Sequence, residues 1–353
     1  MTRVLIVLTS SHRRGAEIEG LALGDELSNC GFSVTVVALA PASSLMSLNV
    51  QTLGSSPLAF RTLRALRRVA KEHDVVLAYG SRTLPACALA LAGGRVPWVY
   101  RSIGDPAAWA RGKFQCLRTK LLLRSASRVV ALWDEAGEWF VDAYGVRSED
   151  VVVIPNARCT DTYRPPTAGE RRAAREQFGI ASDQQVVAVV GSLTSEKRVG
   201  LALAAIAKID GAVALIAGDG AERSDLEALA GQLLPGRVVF AGVLDDVRPA
   251  YWAADCLLLA SRTEGMPGVL IEAAMSGLPV VATAVGAIPT MFQKGIFGQL
   301  AALDTSATSF ANALEEAMAV RPSEPVSLGW DEVSTLWGQL VSSVAATTSE
   351  VAQ

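Results

Sequence analysis

Two carboxylates, Glu264 and Glu272, bracket the segment Gly265-Met266-Pro267-Gly268-Val269-Leu270-Ile271 in a chain of 353 residues. The run Cys256 to Ala260 ahead of them is short and apolar, as buried parallel strands are. Val269 to Met275 reads as a helix. Glu264 is therefore expected on the loop leaving a strand, and Glu272 in the first turns of the helix that follows. Both carboxylates can then face one pocket. The Gly- and Pro-bearing loop between them delivers a helix N-terminus, whose unpaired N–H groups and positive dipole end suit a phosphate. The chemistry on offer is a diphosphate cradle flanked by two acceptors for sugar hydroxyls. A preference of acidic residues for helix starts accounts for Glu264. It accounts poorly for a Glu inside the apolar run Val269-Leu270-Ile271-Glu272-Ala273-Ala274-Met275.

Holding such loops in place takes a scaffold, and the chain carries two series of strand-then-helix alternation. Arg3 to Leu8 is an apolar run followed by the polar loop Thr9 to Gly15, and a helix is predicted from about Ala16 to Asn29 with Gly31 to end it. Val34 to Leu39, Asp74 to Ala78, Trp98 to Arg101, Arg128 to Leu132 and Val151 to Ile154 are further strand candidates. Pro155-Asn156 and Tyr163-Arg164-Pro165-Pro166-Thr167 form a breaker-rich linker. The alternation then restarts with Val186 to Val190, Ala212 to Ala217, Val238 to Ala241, Cys256 to Ala260 and Pro279 to Ala282. Two α/β domains with parallel sheets follow, over residues 1–165 (joined by a last helix near 331–345) and 166–330. Ligands of such folds bind at the carboxyl ends of the strands.

Composition narrows the class. Half of the residues are hydrophobic and 19% are charged, enough apolar material for two cores. No apolar run approaches the roughly 18 to 20 residues of a membrane span, and the N-terminus goes directly into a strand pattern. A cytoplasmic protein is expected. Cys30, Cys87, Cys116, Cys159 and Cys256 have no metal-ligand spacing and read as buried small hydrophobes in a reducing compartment. With only His12 and His73, a histidine-rich zinc site is not expected. Up to Arg164, 20 Lys and Arg stand against 14 Asp and Glu, a net +6; the remainder has 12 against 21, a net −9. The basic first half is suited to an anionic partner, and no nucleic-acid partner is expected.

With the Glu264-to-Glu272 spacing, the continuation Gly277-Leu278-Pro279-Val280-Val281-Ala282-Thr283 to Gly286-Ala287-Ile288-Pro289 resembles the retaining GT-B glycosyltransferases of the GT4 type. So do Gly191-Ser192-Leu193 with Glu196-Lys197-Arg198, then Gly218-Asp219-Gly220-Ala221-Glu222, Phe240-Ala241-Gly242, Gly15-Ala16-Glu17 and Val153-Ile154-Pro155-Asn156. The resemblance spans nearly the whole chain. It implies an α/β GT-B fold of two Rossmann-like parallel-sheet domains facing a central cleft, with the acceptor held by the first and the nucleotide sugar by the second. By position, it implies that Glu272 binds the ribose hydroxyls, Glu264 contacts the transferred sugar and Lys197 neutralises the diphosphate. Gly15 and the backbone of Gly265, Met266, Pro267 and Gly268 complete the cradle. It also implies that no metal or other cofactor is needed, and that a glycan, lipid or small molecule accepts the sugar.

Two positions depart from the family. Ser192 stands where many members have Arg, so a phosphate charge is either missing or supplied by Arg198. Many members carry a His after the strand at Trp98 to Arg101, where this chain reads Arg101-Ser102-Ile103-Gly104-Asp105-Pro106. Asp105 is a substitute polar group or base, or else an ordinary turn former before Pro. A dehydrogenase is disfavoured, since neither half has Gly-x-Gly-x-x-Gly after its first strand. A nucleotide-sugar epimerase of the same fold, or a non-catalytic nucleotide-sugar-binding partner subunit, remains an alternative.

Phe60 to Lys71 is a basic amphipathic stretch, with an apolar stripe of Phe60, Leu63, Leu66, Val69 and Ala70. Arg111, Lys113, Arg118, Lys120 and Arg124 with Phe114, Leu117, Leu121 and Leu122 form another. These are solvated surface helices or, as lipid-modifying relatives imply, a face for peripheral contact with an anionic membrane. The loops Ala40 to Pro57 and Gly104 to Gly112 are acceptor-loop candidates without a readable code. A last helix opens near Gly329-Trp330 and packs Trp337 and Leu340, and a loose tail is expected from Ala345 to Gln353.

Overall fold

The computed structural model describes residues 1–42, 47–109, 112–320, 326 and 328–351. The chain divides into two compact units, 1–156 with 330–353 and 157–329.

The first unit is built on β1 (Arg3–Ser10), β2 (Ser33–Ala40), β3 (Gln51–Thr52), β4 (Val75–Tyr79), β5 (Trp98–Arg101), β6 (Arg128–Ala131) and β7 (Val151–Val153). They form one sheet in the order β3-β2-β1-β4-β5-β6-β7, and every pairing is parallel. The Val-, Ile- and Leu-rich runs are covered on both faces, so β1 and β4 are buried almost throughout. The helices are α1 (Gly15–Asn29), α2 (Phe60–Ala70), α3 (Thr83–Ala90), α4 (Lys113–Leu123) and α5 (Asp134–Asp142), with α13 (Trp330–Val351) at the end of the chain. α13 packs on α1 and β4. Its Trp337, fully buried, lies 5.0 Å from the Arg101 guanidinium, which has Tyr79 at 5.2 Å. Arg101 also donates to Asn156 Oδ1 at 2.6 Å. A cation stacked against two rings tolerates burial because their π-faces and the amide replace part of its water.

The second unit repeats the plan with β8 (Val186–Val190), β9 (Val213–Ala217), β10 (Val238–Gly242), β11 (Cys256–Leu259), β12 (Val280–Thr283) and β13 (Gly298–Ala301). The order is β10-β9-β8-β11-β12-β13, again all parallel. Its helices are α6 (Ala168–Gln177), α7 (Val199–Ile206), α8 (Arg223–Leu233), α9 (Arg248–Ala253), α10 (Gly268–Met275), α11 (Ile288–Gln293) and α12 (Ala307–Ala319). Leu203, Ile206, Ile216, Leu258, Phe310 and Leu314 are fully buried in one core between the sheet and its helices. β8 and β9 leave the sheet so close together that a Cβ on Gly218 would lie 1.8 Å from the Gly191 carbonyl oxygen. With φ of 143° there, only glycine fits.

The strand expectations hold to within a residue or two, and β3 and β13 are additional. Two expectations are corrected, on the last helix and on the cysteines. Helix α13 continues through Val351, where a loose tail was expected from Ala345, because Ala345 and Ala346 add no helix breaker to an apolar stripe already anchored by Trp337, Leu340, Val341 and Val344. On α2, Phe60 is 78% exposed, and the buried residues are Thr62, Leu66 and Ala70. Cys87 and Cys256 are buried, but Cys30 at the end of α1 and Cys159 in the linker are exposed.

Candidate functional site

In each sheet the chain starts in the middle and winds outward in both directions, so the order reverses at one crevice. In the second unit this crevice lies between β8 and β11. The loop leaving β8 carries Ser192, Lys197 and Arg198, and the loop leaving β11 carries Ser261 to Pro267. Backbone and side chain bolt the two loops together. The Arg262 N–H donates to the Glu196 carbonyl at 2.7 Å. Arg198 donates from Nε to the Ala260 carbonyl at 2.5 Å, from Nη1 to Leu303 O at 2.6 Å, and from Nη2 to Thr283 Oγ1 at 3.1 Å.

This use of Arg198 departs from the expected phosphate contact. Its guanidinium spans the exits of β11 and β12, and burial pushes its pKa down. Its backbone is left-handed, φ 50°, the only such non-glycine among the described residues. The strain is offset by that set of charge-assisted bonds.

Lys197 and Glu264 are thereby brought together, with Nζ donating to Oε1 at 2.5 Å. Ser261 Oγ donates to the same oxygen at 2.6 Å. Behind this loop stands Gly286, with φ of 56°; a Cβ there would lie 2.1 Å from the Glu264 carbonyl oxygen. The Ala287 N–H donates to the Gly265 carbonyl at 2.9 Å. Gly265, Met266 and Pro267 are buried, and Pro267 caps α10 without any side-chain hydrogen bond to its first turn. The helix thus opens at Gly268 with a backbone-only N-terminus, as expected of an anion cradle.

Glu272 lies in the second turn of α10 and is 9% exposed. Arg158 Nε donates to its Oε1 at 2.7 Å, and the Tyr251 hydroxyl donates to its Oε2 at 2.7 Å. Burial, then the negative charge of Glu272, pushes the Tyr251 hydroxyl well above its ordinary pKa, so it remains a donor. The same two causes raise the Tyr163 hydroxyl. Arg158, Tyr251, Ser261 and Tyr163 were missed in the sequence. The only sequence signals were an Arg in a breaker-rich linker and a Tyr in the Ala-containing helix α9.

Ser192 is exposed on the β8 exit, its carbonyl accepting from the Thr194 N–H at 3.0 Å. Gly15 opens α1 in the first unit, exposed, without a side-chain cap. A Cβ there would meet nothing within 4 Å, so protein packing does not demand glycine. Asp105 Oδ1 accepts from the Ala107 N–H at 2.9 Å at the start of the 3-10 turn Pro106–Trp109, the turn-forming geometry of an Asp before Pro. Burial raises its carboxyl pKa, and the Ala107 N–H partly offsets this. Residues 43–46 and 110–111 of the acceptor-loop candidates, including Arg111, lie outside the described residues.

Residues 184–319 match the family described as Glycosyl transferases group 1, and residues 7–157 match the Glycosyl transferase 4-like domain. D-inositol 3-phosphate glycosyltransferase of Mycobacterium tuberculosis is 32% identical over 183 residues, 50% of this chain and 38% of that protein. The alignment therefore spans well under half the length of that curated relative. Among solved structures, HepE of Anabaena in complex with UDP-glucose superposes with a TM-score of 0.78 at 20% identity, covering 99% of each chain. Sucrose-phosphate synthase of Thermosynechococcus elongatus does so with 0.81 at 19% identity, covering 98% of this chain and 100% of that one. At such identities the likeness speaks for the fold, two parallel-sheet Rossmann-like domains of GT-B type. With one family match in each unit, the two together covering most of the chain, it belongs to the group 1 glycosyltransferases, of the GT4 type.

Proposed function

We propose that the protein is a retaining glycosyltransferase that moves a sugar from a nucleoside diphosphate sugar to a hydroxyl of a glycan, lipid or small molecule, without a metal. The observation that carries this reading is the convergence of Lys197, Glu264 and the α10 N-terminus at the β8/β11 crevice, with Glu272 one turn further on. Each part has work to do in such a transfer. The Lys197 ammonium and the first N–H groups of α10 stabilise charge building on the departing diphosphate, the role a divalent cation has elsewhere. Glu264 accepts from a hydroxyl of the transferred sugar. Glu272, held in place by hydrogen bonds from Tyr251 and Arg158, accepts from the ribose hydroxyls. Gly15 at the phosphates and Asp105 toward the acceptor are proposed for the first unit. A structural neighbour in complex with UDP-glucose supports the donor class.

Calorimetric titration with UDP, GDP and ADP in the presence of a chelator tests this, with Glu272→Ala alongside. One nucleotide should bind selectively and the variant should bind it more weakly. Absence of binding by the folded wild type would favour the partner-subunit reading. Interconversion of a nucleotide sugar with no acceptor present would favour the epimerase. The anomeric configuration of a product, read by NMR, tests retention.

We also propose peripheral contact with an anionic membrane. α2 and α4 each pack against α3, and they expose Phe60 (78%), Phe114 (80%), Leu117 (54%) and Leu121 (53%), joined by Leu89 of α3. Arg61, Arg64, Arg68, Lys113, Arg118 and Arg124 are exposed among them. No described helix is long and apolar enough to cross a membrane. Apolar insertion with cationic flanks suits a headgroup surface. The wild type should float with phosphatidylglycerol liposomes at low salt and Phe60→Asp/Phe114→Asp should not; wild type that stays in the soluble fraction contradicts the contact.

A further inference from the structure

We propose that Arg158 is a second cation for the diphosphate of the nucleotide, acting beside Lys197; this rests on the donor-site reading above. The residue sits in the irregular segment that opens the second unit. Its backbone N–H is pinned to the Leu328 carbonyl at 3.0 Å. Its side chain runs to α10, where Nε donates to Glu272 Oε1 at 2.7 Å and Nη1 to the Ala157 carbonyl at 2.8 Å.

The guanidinium rests directly on the first residue of the helix. A Cβ on Gly268 would lie 1.8 Å from Arg158 Nη2 and 2.8 Å from its Cζ, so the guanidinium fills the space that any other residue would take. A cation at this end of a helix has the wrong sign for the dipole. Glu272 pairs with it, as Glu264 pairs with Lys197. Both carboxylates are proposed to bind neutral hydroxyls. A hydroxyl that donates to either carboxylate leaves its charge in place; what favours a further anion is a guanidinium on Gly268 and an ammonium at Glu264, at the two ends of the loop that opens α10 with its helix N-terminus. A diphosphate is that anion, and a planar guanidinium suits its paired oxygens better than an ammonium does. The two nearer candidates for a second phosphate cation do not supply one: Ser192 is neutral, and Arg198 is spent on carbonyls at the strand exits.

The test compares a nucleoside diphosphate with its own nucleoside. UDP, GDP and ADP, with uridine, guanosine and adenosine, are titrated into wild type, Arg158→Ala, Arg158→Lys, Glu272→Gln and Arg158→Ala/Glu272→Gln, each checked for folding by its melting curve. The diphosphate that binds the wild type should lose about ten- to a hundredfold in affinity on Arg158→Ala, with the nucleoside changed less than about threefold, as expected for one charge-assisted contact. Arg158→Lys should recover part of that loss. In a Glu272→Gln background the Arg158→Ala loss should persist. An equal loss for nucleoside and diphosphate, or no further loss once Glu272 is neutral, would show that Arg158 only holds Glu272 in place and would overturn the proposal. Tighter diphosphate binding by Arg158→Ala would overturn it too, since the guanidinium would then be a plug. Should Arg158→Ala melt before titration, Arg158→Lys and Arg158→Gln make the same comparison. A folded wild type that binds none of the three diphosphates sinks the donor-site reading itself, a separate outcome.

Discussion

Lys197 and Glu264 are 67 residues apart in sequence, and their charged ends meet at 2.5 Å at the crevice between β8 and β11. Neither loop would hold this geometry alone. The Arg262–Glu196 backbone bond and the Arg198 guanidinium fix the two strand exits to each other, and the ion pair forms on that frame. In the proposed donor site, Glu264 and a diphosphate would compete for the Lys197 ammonium.

Glu264→Gln separates the two demands on Lys197. Without the competing charge, nucleoside diphosphate affinity should hold or rise severalfold, while turnover with a sugar donor falls by about 10²- to 10³-fold, the scale of losing one preorganised polar contact to the reacting sugar. Lys197→Ala should weaken diphosphate binding instead. Titration calorimetry paired with a turnover assay distinguishes these outcomes, and a parallel fall of affinity in Glu264→Gln contradicts the competition.

Gly286→Ala should damage the site without touching any ligand. The new Cβ meets the Glu264 and Gly265 carbonyl oxygens at 2.1 and 2.8 Å, both backbone atoms that cannot swing aside. Together with φ of 56°, this costs about 1–3 kcal/mol of stability. Donor turnover should drop by more than about tenfold in protein that is still folded at 25 °C. Unchanged kinetics would mean that the loop is not held as described.

Tyr251→Phe removes one hydrogen bond to Glu272 and little else. The Oε2 atom, within a residue 9% exposed, loses its donor, so unfolding in urea should show a loss of about 1–3 kcal/mol. Nucleotide affinity should fall with it, because Glu272 loses the contact that fixes its rotamer. A variant as stable as wild type would indicate that water or a neighbour replaces the hydroxyl.

Trp337→Ala tests how the end of the chain secures the first unit. It opens a cavity over Arg101 and removes one of the two rings stacked on that cation, a change worth about 3–5 kcal/mol. The melting temperature should drop by several degrees, with the loss falling on the unit that contains residues 1–156. Hydrogen exchange should show faster exchange in α1 and β4, which pack on α13.

Glu170 sets a pH dependence at the start of α6. Hydrogen bonds from Arg164, then from the Thr167 backbone and hydroxyl, hold its carboxyl at about 2, down from the ordinary 4.5. A folded pKa below the unfolded one means stability present above pH 4.5 and lost as pH falls toward 2. The melting temperature of wild type should therefore fall more steeply over that interval than that of Glu170→Gln. Parallel curves would remove Glu170 from the acid response.

Much of this architecture was legible in the sequence. Buried parallel strands need short continuous apolar runs, and that requirement wrote Val186 to Val190 at its observed bounds, as the aromatic-rich Trp98 to Arg101 did by strand propensity. β3, with two residues, and β13, Gly298-Gln299-Leu300-Ala301, have no such run and were invisible. The placement of Glu264 on a strand-exit loop and of Glu272 in the next helix was also legible, because both follow from local pattern. Amphipathicity left open whether Phe60 is covered, since an apolar side chain on a helix flank does not say whether a neighbour will cover it.

By itself, then, the sequence determined the alternation, the two parallel sheets and the glycine-bearing loop between two carboxylates. The tertiary structure alone decided which partners those carboxylates keep. Arg158 reaches Glu272 across 114 residues, Lys197 reaches Glu264 across 67, and Arg198 spans 62 to Ala260. Element type is set by side-chain pattern over a few neighbouring residues. Hydrogen-bond partners are set by which strand exits the winding of the sheet makes adjacent, and that adjacency exists only once the sheet has formed.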